Sequence, residues 1–407
     1  MSVLDFSSRR RRTRRLSPRA ILCLVCLVGP SSWARGQEPS APQAVAPAQL
    51  QAAIDGLGNL DDDRRAAASR TVRRTTADQA VPALIQAVGE HRDGYVRYRA
   101  LVLLTGFNDP RTKDSMRASL KSPNDRLRSV AYSFFEHHPD RTMIPDTLAA
   151  LDKEQGEFVR PSLVRALAAQ GDDPRVRQTL LREVGRGADF FRSAVIEALG
   201  DYHAQYAFDA LTAVAKLDGP LQDDAALALG AIGDKRALPT LAGLQRTAPG
   251  PLQPTLAAAI CLLGVNCDTH EKYLVDTLRF ADKNSGFQPL LRSAAAGLGR
   301  LAVGGHQEAL KALFEIGIPA KDDSTRAPVA LAVGTVALRN TGVMLTVLRT
   351  HPNRSQAIEL LAEGFDRLEE DLEKETFFAM VRRTYWDSAA NSPERQLMQT
   401  LIGKLDF

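Results

Sequence analysis

Apolar residues recur along the chain in one repeated pattern. An apolar residue is followed by Ala or another small apolar residue four positions later and by Leu eight positions later. Positions four and eight apart lie on one face of an α-helix, so each copy predicts a helix with one apolar face. Neighbouring copies start 28 to 35 residues apart, about the length of one helix pair. The copies span Val96–Leu104, Phe191–Leu199, Leu221–Leu229 and Leu290–Leu298, and others start near residues 127, 159, 255, 325 and 353.

A short turn with an acidic residue follows most copies. Asp at such a turn is well placed to accept a hydrogen bond from the first backbone N–H groups of a second helix. Gly follows the Leu of several copies, as in Leu229-Gly230, and is expected to end the first helix in a left-handed conformation. Pro82 and Pro239 are expected in the first turn of second helices, where the missing N–H costs little. The predicted caps are Asp78, Asp109, Asp140, Asp173, Asp201 and Asp234.

The second helices share an order of residues: Asp, an apolar residue, Pro, then Leu. Gly233-Asp-Lys-Arg-Ala-Leu-Pro-Thr-Leu241 is the clearest copy. This arrangement resembles the HEAT-like repeats first named after phycobilisome lyases, over roughly residues 60–365. The resemblance implies an all-α fold, an α-α superhelix formed as a right-handed solenoid of about nine or ten helix pairs. Stacked pairs predict a curved rod on the order of 80–100 Å long, with an extended concave face formed by the second helices.

Four segments are predicted along the chain. Residues 1–34 read as a signal peptide, 35–52 as a flexible Pro- and Ala-rich linker, 53–364 as the HEAT-like solenoid and 365–407 as its C-terminal capping helices. The leader joins seven Arg to the apolar run Ala20–Gly29, and cleavage is expected after Ala34 or within a residue or two of it. This run is shorter than the about 20 residues that span a bilayer. We therefore expect an exported protein, periplasmic or extracellular, without a transmembrane span after cleavage.

The charge of the chain is uneven. The net charge is +4, but seven Arg and one acidic residue lie in residues 1–34, which leaves −2 for residues 35–407. Nucleic acid is therefore not an expected partner. Residues 50–130 carry a net charge of +4 and residues 355–407 carry −5. The basic segment is a candidate surface for an acidic partner, unless its Arg pair with turn Asp of neighbouring repeats. Its members are Arg64, Arg65, Arg70, Arg73, Arg74, Arg97 and Arg99.

Two cysteines lie beyond the leader, Cys261 and Cys267. In an exported chain they form a candidate disulfide between a helix end and the following turn. The alternative is that Cys261 is simply a small core residue. Neither pattern nor spacing around the pair predicts a metal site. His137 and His138 are interpreted as a solvated helix end, because no third ligand is near them in sequence.

Catalytic signatures are not found in the sequence. It has no Gly-x-Ser-x-Gly, Ser-x-x-Lys or His-Glu-x-x-His motif and no phosphate-binding Gly-x-x-x-x-Gly-Lys loop. No catalytic, cofactor-binding or metal-binding residue is therefore predicted, and no cofactor. The hypothesis is a non-enzymatic scaffold that binds a protein partner along its concave face. The alternative, which the resemblance to phycobilisome lyases implies, is a lyase-like or other enzyme-associated protein that handles a bound cofactor.

Overall fold

The computed structural model describes residues 41–407, in which ten pairs of antiparallel helices are followed by two terminal helices, α21 (Asp371–Asp387) and α22 (Pro393–Leu405). The predicted signal peptide and the first part of the predicted linker lie outside the described residues. The outer helices of the pairs are α1 (Pro47–Gly56), α3 (Ala77–Glu90), α5 (Thr112–Ser119), α7 (Ile144–Leu151), α9 (Pro174–Val184), α11 (Phe208–Ala215), α13 (Leu238–Thr247), α15 (Cys267–Asp282), α17 (Gln307–Gly317) and α19 (Thr341–Thr350). The inner helices are α2 (Asp62–Arg73), α4 (Gly94–Thr105), α6 (Asp125–His137), α8 (Val159–Ala168), α10 (Asp189–Asp201), α12 (Gln222–Ala231), α14 (Gln253–Leu262), α16 (Gln288–Val303), α18 (Asp323–Arg339) and α20 (Arg354–Arg367).

The predicted all-α superhelix is confirmed. The apolar stripe of the repeated pattern forms its core, and Val195, Leu199, Ala225, Leu229 and Leu298 are all buried. One helix pair cannot cover its own apolar stripe, so each pair is stabilised by its neighbours in the stack. The core is continuous through successive repeats for this reason.

The pattern helices form the inner layer of the superhelix. Each packs against the next inner helix, and glycines allow the closest approaches. A Cβ added to Gly230 on α12 would lie 2.6 Å from Cα of Ala259 on α14, and Gly334 on α18 meets Gly364 on α20 in the same way. The prediction that the helices after the acidic turns form the concave face is therefore wrong. Those helices form the outer layer, because the small residues of the repeated pattern bring the pattern helices together on the inside.

Four of the six predicted caps accept a hydrogen bond from the backbone N–H two residues later. Asp78 instead lies within the first turn of α3, which begins after Thr76 without a side-chain cap. Asp201 is the last residue of α10 and so cannot cap the start of a helix. These two predictions are wrong. The four acceptors, with O···N distances of 2.8 to 3.1 Å, are Asp109, Asp140, Asp173 and Asp234.

Two other local expectations also need correction. Gly230 lies within α12 and does not end it, whereas Gly233 in the following turn has φ of +75°. The left-handed position therefore comes three residues later than predicted, and the Gly of the pattern serves close packing. Pro239 lies in the first turn of α13, but Pro82 lies in the interior of α3.

The two terminal helices return to the first repeats. α21 packs against α4, α6 and α18, and α22 packs against α20. Arg73 on α2 donates hydrogen bonds of 2.8 and 2.6 Å to Oε2 of Glu375 on α21, and Arg70 pairs with Asp406 after α22. Leu372 of α21 joins the core of the first repeats. Because α21 lies against α4, α6 and α18, the prediction of an extended, free concave face is wrong, and α21 covers the inner face instead of the end.

The helical region begins earlier than expected. α1 starts at Pro47, inside the segment that was expected to be a flexible linker, and it buries Leu50 and Ile54 against the first repeat. Among residues 41–407, no single helix is long and apolar enough to cross a membrane. α18 and α19 meet that length and composition only when taken together, and they are bent by 115°.

Candidate functional site

The inner helices run in one direction, so their ends define two edges of the superhelix. At the amino-terminal edge, Ser193 on α10 hydrogen-bonds Asp224 on α12 over 2.6 Å. At the carboxyl-terminal edge, Arg165 on α8 reaches Asp201 on α10 over 2.8 Å. Charged groups collect at the second edge and exposed apolar groups at the first.

Charged residues in the last turns of five inner helices form an interior network. Arg165 donates one hydrogen bond of 2.9 Å to Glu136 and another of 2.8 Å to Asp201. Arg300 on α16 pairs with the second oxygen of Asp201, across the interior of the superhelix. Cations are favoured at helix carboxyl ends, where the backbone carbonyls carry partial negative charge. The members of the interior network are Glu136, Arg165, Asp201, Arg300 and Arg339.

The start of α21 supplies further carboxylates to this network. Glu370 forms an ion pair of 2.9 Å with Arg339, and Glu373 lies 3.6 Å from Nε2 of His137. Burial raises the pKa of Glu370. Burial also opposes ionisation of Glu373, but His137 and Arg339 outweigh it and lower the pKa of that carboxyl. The segment that was expected to cap the end of the solenoid therefore supplies carboxylates that neutralise interior cations.

The charged groups of the network favour one another's ionised forms. Burial opposes the charge of Arg165, yet Glu136 and Asp201 raise its pKa. Burial likewise opposes ionisation of Asp201, while Arg300 and Arg165 lower its pKa. Tyr202 adds a hydrogen bond of 2.9 Å to Glu136. Removing one partner would leave an uncompensated charge, so the network acts as a tie between repeats.

Two cavities border the network. One of about 450 Å³ is lined by the five network residues together with His137 and Tyr202. The other, of about 640 Å³, lies between α5, α6 and α21 and is lined by His137, His138 and Arg383. Both volumes would accommodate a small ligand. The charged groups of the first cavity already pair with one another, which argues for a structural role.

The predicted basic patch is largely committed to contacts within the chain. Arg70 and Arg73 bind the terminal helices, and Arg97 and Arg99 donate to backbone carbonyls 2.8 Å away. Arg64 is exposed. Arg65 and Arg74 are half-buried. The structure therefore does not bring the seven arginines together as one open surface. Arg73 pairs with Glu375 on α21 and Arg70 with Asp406 just after α22, instead of with acids in neighbouring turns.

Large apolar side chains are exposed along the amino-terminal edge. Phe158 precedes α8, Phe190 is the second residue of α10, and Leu217 lies in the turn before α12. Their exposed fractions are 60%, 59% and 61%, in three consecutive repeats. Such a row is unusual on a free surface and is typical of a binding face. We call this row the apolar edge; its members are Tyr95, Phe158, Phe190, Leu217 and Phe287.

Acidic residues stand beside the three central members of the apolar edge. Glu157 precedes Phe158, Asp189 precedes Phe190, and an Asp follows Leu217. All three acids are exposed, and Asp189 also pairs with Arg192 at 2.9 Å. The edge thus offers apolar contacts with an exposed acid beside Phe158 and Phe190, whereas Leu217 stands between Lys216 and Asp218.

Neither the apolar edge nor the interior network is identified from the sequence. A local signal for the edge exists, since Phe158 occupies a helix N-cap, where Ser, Thr, Asp or Asn is preferred. The network has no such signal. Arg300 and Asp201 are about one hundred positions apart, and only the closed superhelix brings them together.

The structure joins Cys261, at the end of α14, to Cys267, the first residue of α15, in a disulfide. Cys261 is at the same time a buried core residue. Cys261 is therefore both a disulfide partner and a small core residue, the two interpretations that the sequence left open.

The fold and repeat pattern define the class of protein, an all-α superhelix that contains HEAT repeats. Residues 50–136 match the model for HEAT repeats, and residues 221–245 match the model for the PBS lyase HEAT-like repeat. The comparison with curated proteins gives no match.

Solved structures of similar fold include two kinds of solenoid. The complex of CpcE and CpcF of phycocyanin lyase from Nostoc sp. PCC7120 is 22% identical over 64% of this chain and 97% of that chain, with a TM-score of 0.39. Yeast importin-beta (Kap95p) is 10% identical over 88% of this chain and 57% of that chain, also with a TM-score of 0.39. At these identities the likeness concerns the fold alone.

Proposed function

We propose that this chain is a non-enzymatic scaffold that binds a protein partner along the apolar edge. The observation that carries the proposal is the row of Phe158, Phe190 and Leu217, exposed in three consecutive repeats. Large exposed apolar groups are unfavourable in water unless a partner covers them. Aromatic side chains are also the residues that most often anchor protein interfaces.

The proposal moves the binding surface away from the inner face. α21 lies on that face, against α4, α6 and α18, and ion pairs cross the interior. A partner that used the inner face would have to displace buried groups such as Glu373 and Glu375. The apolar edge is accessible without any such rearrangement.

The chemistry of the edge indicates the kind of partner. Stacked helices are about 8–10 Å apart, so anchors at the starts of neighbouring inner helices, such as Phe158 and Phe190, are expected to recur at about that interval. An extended polyproline II segment presents every third residue on one side, at intervals of about 9 Å. The partner is therefore an extended protein segment with apolar residues at every third position and Lys or Arg near them, which complements Glu157 and Asp189.

A site-specific cross-linker tests this surface directly. A photoreactive phenylalanine analogue replaces Phe158 in the full chain, expressed in its native cell, and the captured protein is identified by mass spectrometry. The control places the same group at Tyr273, which is exposed on outer helix α15. We expect one partner captured from position 158 and not from 273. Equal capture from both positions, or capture from neither, would contradict the proposal.

Substitution on the edge gives the first quantitative prediction. The double variant Phe158→Asp/Phe190→Asp removes two anchors and adds charge beside existing acids, so we expect at least about a hundredfold weaker binding of the captured partner, measured by calorimetry. The matched control is Tyr273→Asp/Leu331→Asp, two exposed apolar residues away from the edge. Thermal unfolding of both variants shows whether the fold is intact. Equal weakening by the two variants would overturn the choice of surface.

We further propose that the scaffold works outside the cytoplasm, with residues 1–34 removed. The support is the leader's order of basic residues, apolar run and small residues. N-terminal sequencing of the mature protein from a periplasmic or culture fraction should begin at or near Arg35. A mature protein that begins at Met1 would contradict export by cleavage.

A further inference from the structure

A cluster of four potential metal ligands lies at the carboxyl-terminal edge, where α14, α15 and α17 meet. Cys261 is the last residue but one of the inner helix α14. Cys267 and Glu271 are one turn apart on α15, and His306 directly precedes α17. His306 is 39 positions beyond Cys267, so sequence spacing does not indicate the cluster. The fold assembles it from three helices.

The distances within this cluster suit a single small cation. Nδ1 of His306 lies 3.8 Å from Sγ of Cys267 and 3.1 Å from Oε2 of Glu271. The two sulfur atoms and the His306 nitrogen all lie within 4.8 Å of one another. A tetrahedral zinc ion holds sulfur and nitrogen ligands roughly 3.5 Å apart, which follows from its bond lengths of about 2.3 and 2.0 Å.

Glu271 supplies an independent sign of a missing partner. Its second carboxylate oxygen, Oε1, is buried and has no hydrogen-bond partner within residues 41–407. A buried carboxylate oxygen without a partner is costly, and a bound cation would satisfy it. Cys267 is the first residue of α15, where the helix amino terminus favours a thiolate.

We propose that the reduced form of this cluster binds one zinc ion through Cys261, Cys267, His306 and Glu271. Two thiolates, an imidazole and a carboxylate form a four-coordinate donor set of the type zinc prefers. In the disulfide form the sulfur atoms are bonded to each other and are no longer thiolate ligands. The site is therefore a redox-dependent metal site, and it stands independently of the proposed scaffold role.

The chemistry balances with a dithiol as the reductant. The dithiol gives two electrons and two protons to the Cys261–Cys267 disulfide and becomes a disulfide itself, while both cysteines become thiols. Zinc then binds the two sulfur atoms and releases their two protons. Oxidation of the pair by a disulfide of the same class reverses both steps and frees the metal.

Metal analysis of the full chain tests the proposal. Cys23 and Cys26 are replaced by Ser, so that Cys261 and Cys267 are the only cysteines of the chain. This protein is reduced with a phosphine, mixed with excess zinc chloride and desalted, and its zinc is measured by mass spectrometry. We expect about one zinc per chain in the reduced protein and essentially none in a sample kept oxidised. Cobalt in place of zinc should give the intense visible and thiolate-to-metal bands of a tetrahedral site. No zinc in the reduced protein, or equal zinc in both samples, would overturn the proposal.

Variants identify the ligands without relying on the disulfide. His306→Ala and Glu271→Gln leave both cysteines in place and should each weaken zinc binding at least about tenfold. Glu308→Gln is the matched control, because Glu308 is exposed two residues after His306 and pairs with Lys311. Unfolding temperatures of the metal-free variants show whether the helices are intact. Wild-type zinc affinity in a folded His306→Ala protein would contradict the assignment.

Discussion

Glu197 on α10 is a carboxyl group whose pKa is raised toward neutral pH. Its side chain lies on the inner face of the superhelix, where it is accessible to water but partly surrounded by protein. Partial desolvation, then the nearby charges of Asp224 and Asp201, raise its pKa to about 7. Arg165 and Arg300 oppose this shift but do not cancel it.

This shift predicts how stability depends on pH. Because the pKa in the folded chain exceeds the ordinary value of 4.5, the folded state keeps a proton that the unfolded chain has lost between pH 4.5 and about 7. The contribution of Glu197 to stability therefore falls as pH rises through this window. Glu197→Gln should raise the unfolding temperature by roughly 1–3 °C at pH 8, with little change at pH 4.5. A difference from wild type that is the same at both values would contradict this role.

At the scale of single residues, the sequence predicts the role of a side chain when its partners are near neighbours in the chain. Asp140 and Asp173 act on N–H groups two positions away, and their roles follow from the local order of residues. Asp201 looks the same in sequence, but its partners Arg165 and Arg300 come from other repeats. A turn-like position therefore does not reveal an interior ion pair.

The inner helices depend on small residues for their close packing. A Cβ at Gly230 would lie 2.6 Å from both Cα and the carbonyl oxygen of Ala259, and backbone atoms cannot move aside as a flexible side chain can. The approach of α12 to α14 is therefore fixed by the absence of a side chain at this position.

Replacing this glycine should separate the two helices. Gly230→Ala is expected to lower the free energy of unfolding by about 1–3 kcal/mol, the range for overpacked cores, measured by denaturant titration. Gly243→Ala is the control, since Gly243 lies in α13 with its nearest contact 3.9 Å from an added Cβ. That change should stabilise the chain by up to about 1 kcal/mol, because Ala is the better helix former. Destabilisation of equal size by both changes would rule out close packing as the reason for Gly230.

At the scale of helices, the sequence predicts the repeated elements and a helix in the place of α21, but it does not predict what α21 packs against. The stripe from Leu221 to Leu229 identifies α12 because the same local order of residues recurs in the other inner helices. α21 instead buries Glu373, Glu375 and Arg382 beside its apolar residues, so its charges look like a solvated surface in sequence. Their partners lie in repeats about 240 to 300 residues earlier, except for the local pair of Glu375 with Arg382.

At the scale of the whole described region, the superhelix is closed because its terminal helices contact its first repeats. This closure explains why the first repeats are basic and the last segment is acidic. The basic first repeats and the acidic last segment face each other, as in the pairs Arg73 with Glu375 and Arg70 with Asp406. Glu375 is almost fully buried and also accepts a hydrogen bond of 3.1 Å from Arg382. The gradient is therefore a property of folding and gives no evidence of an acidic partner.

Closure also accounts for where a partner can bind. A solenoid whose ends meet through α21 has an inner face engaged by its own chain, and its exposed apolar groups lie on an edge. If Glu375 is removed, Arg73 and Arg382 lose their buried carboxylate. Glu375→Ala should then lower the free energy of unfolding by about 3–5 kcal/mol and loosen α21.

The distance between the first repeat and the terminal helix α22 tests the closed form of the superhelix most directly. Spin labels at Ala67 on α2 and Gly403 on α22, both exposed, report this distance by double electron–electron resonance in a chain whose Cys23 and Cys26 are replaced by Ser. A closed superhelix predicts a single short, narrow distance distribution, which broadens in Glu375→Ala. A long distance that approaches the roughly 80–100 Å of an open stack of ten pairs, unchanged by Glu375→Ala, would contradict it.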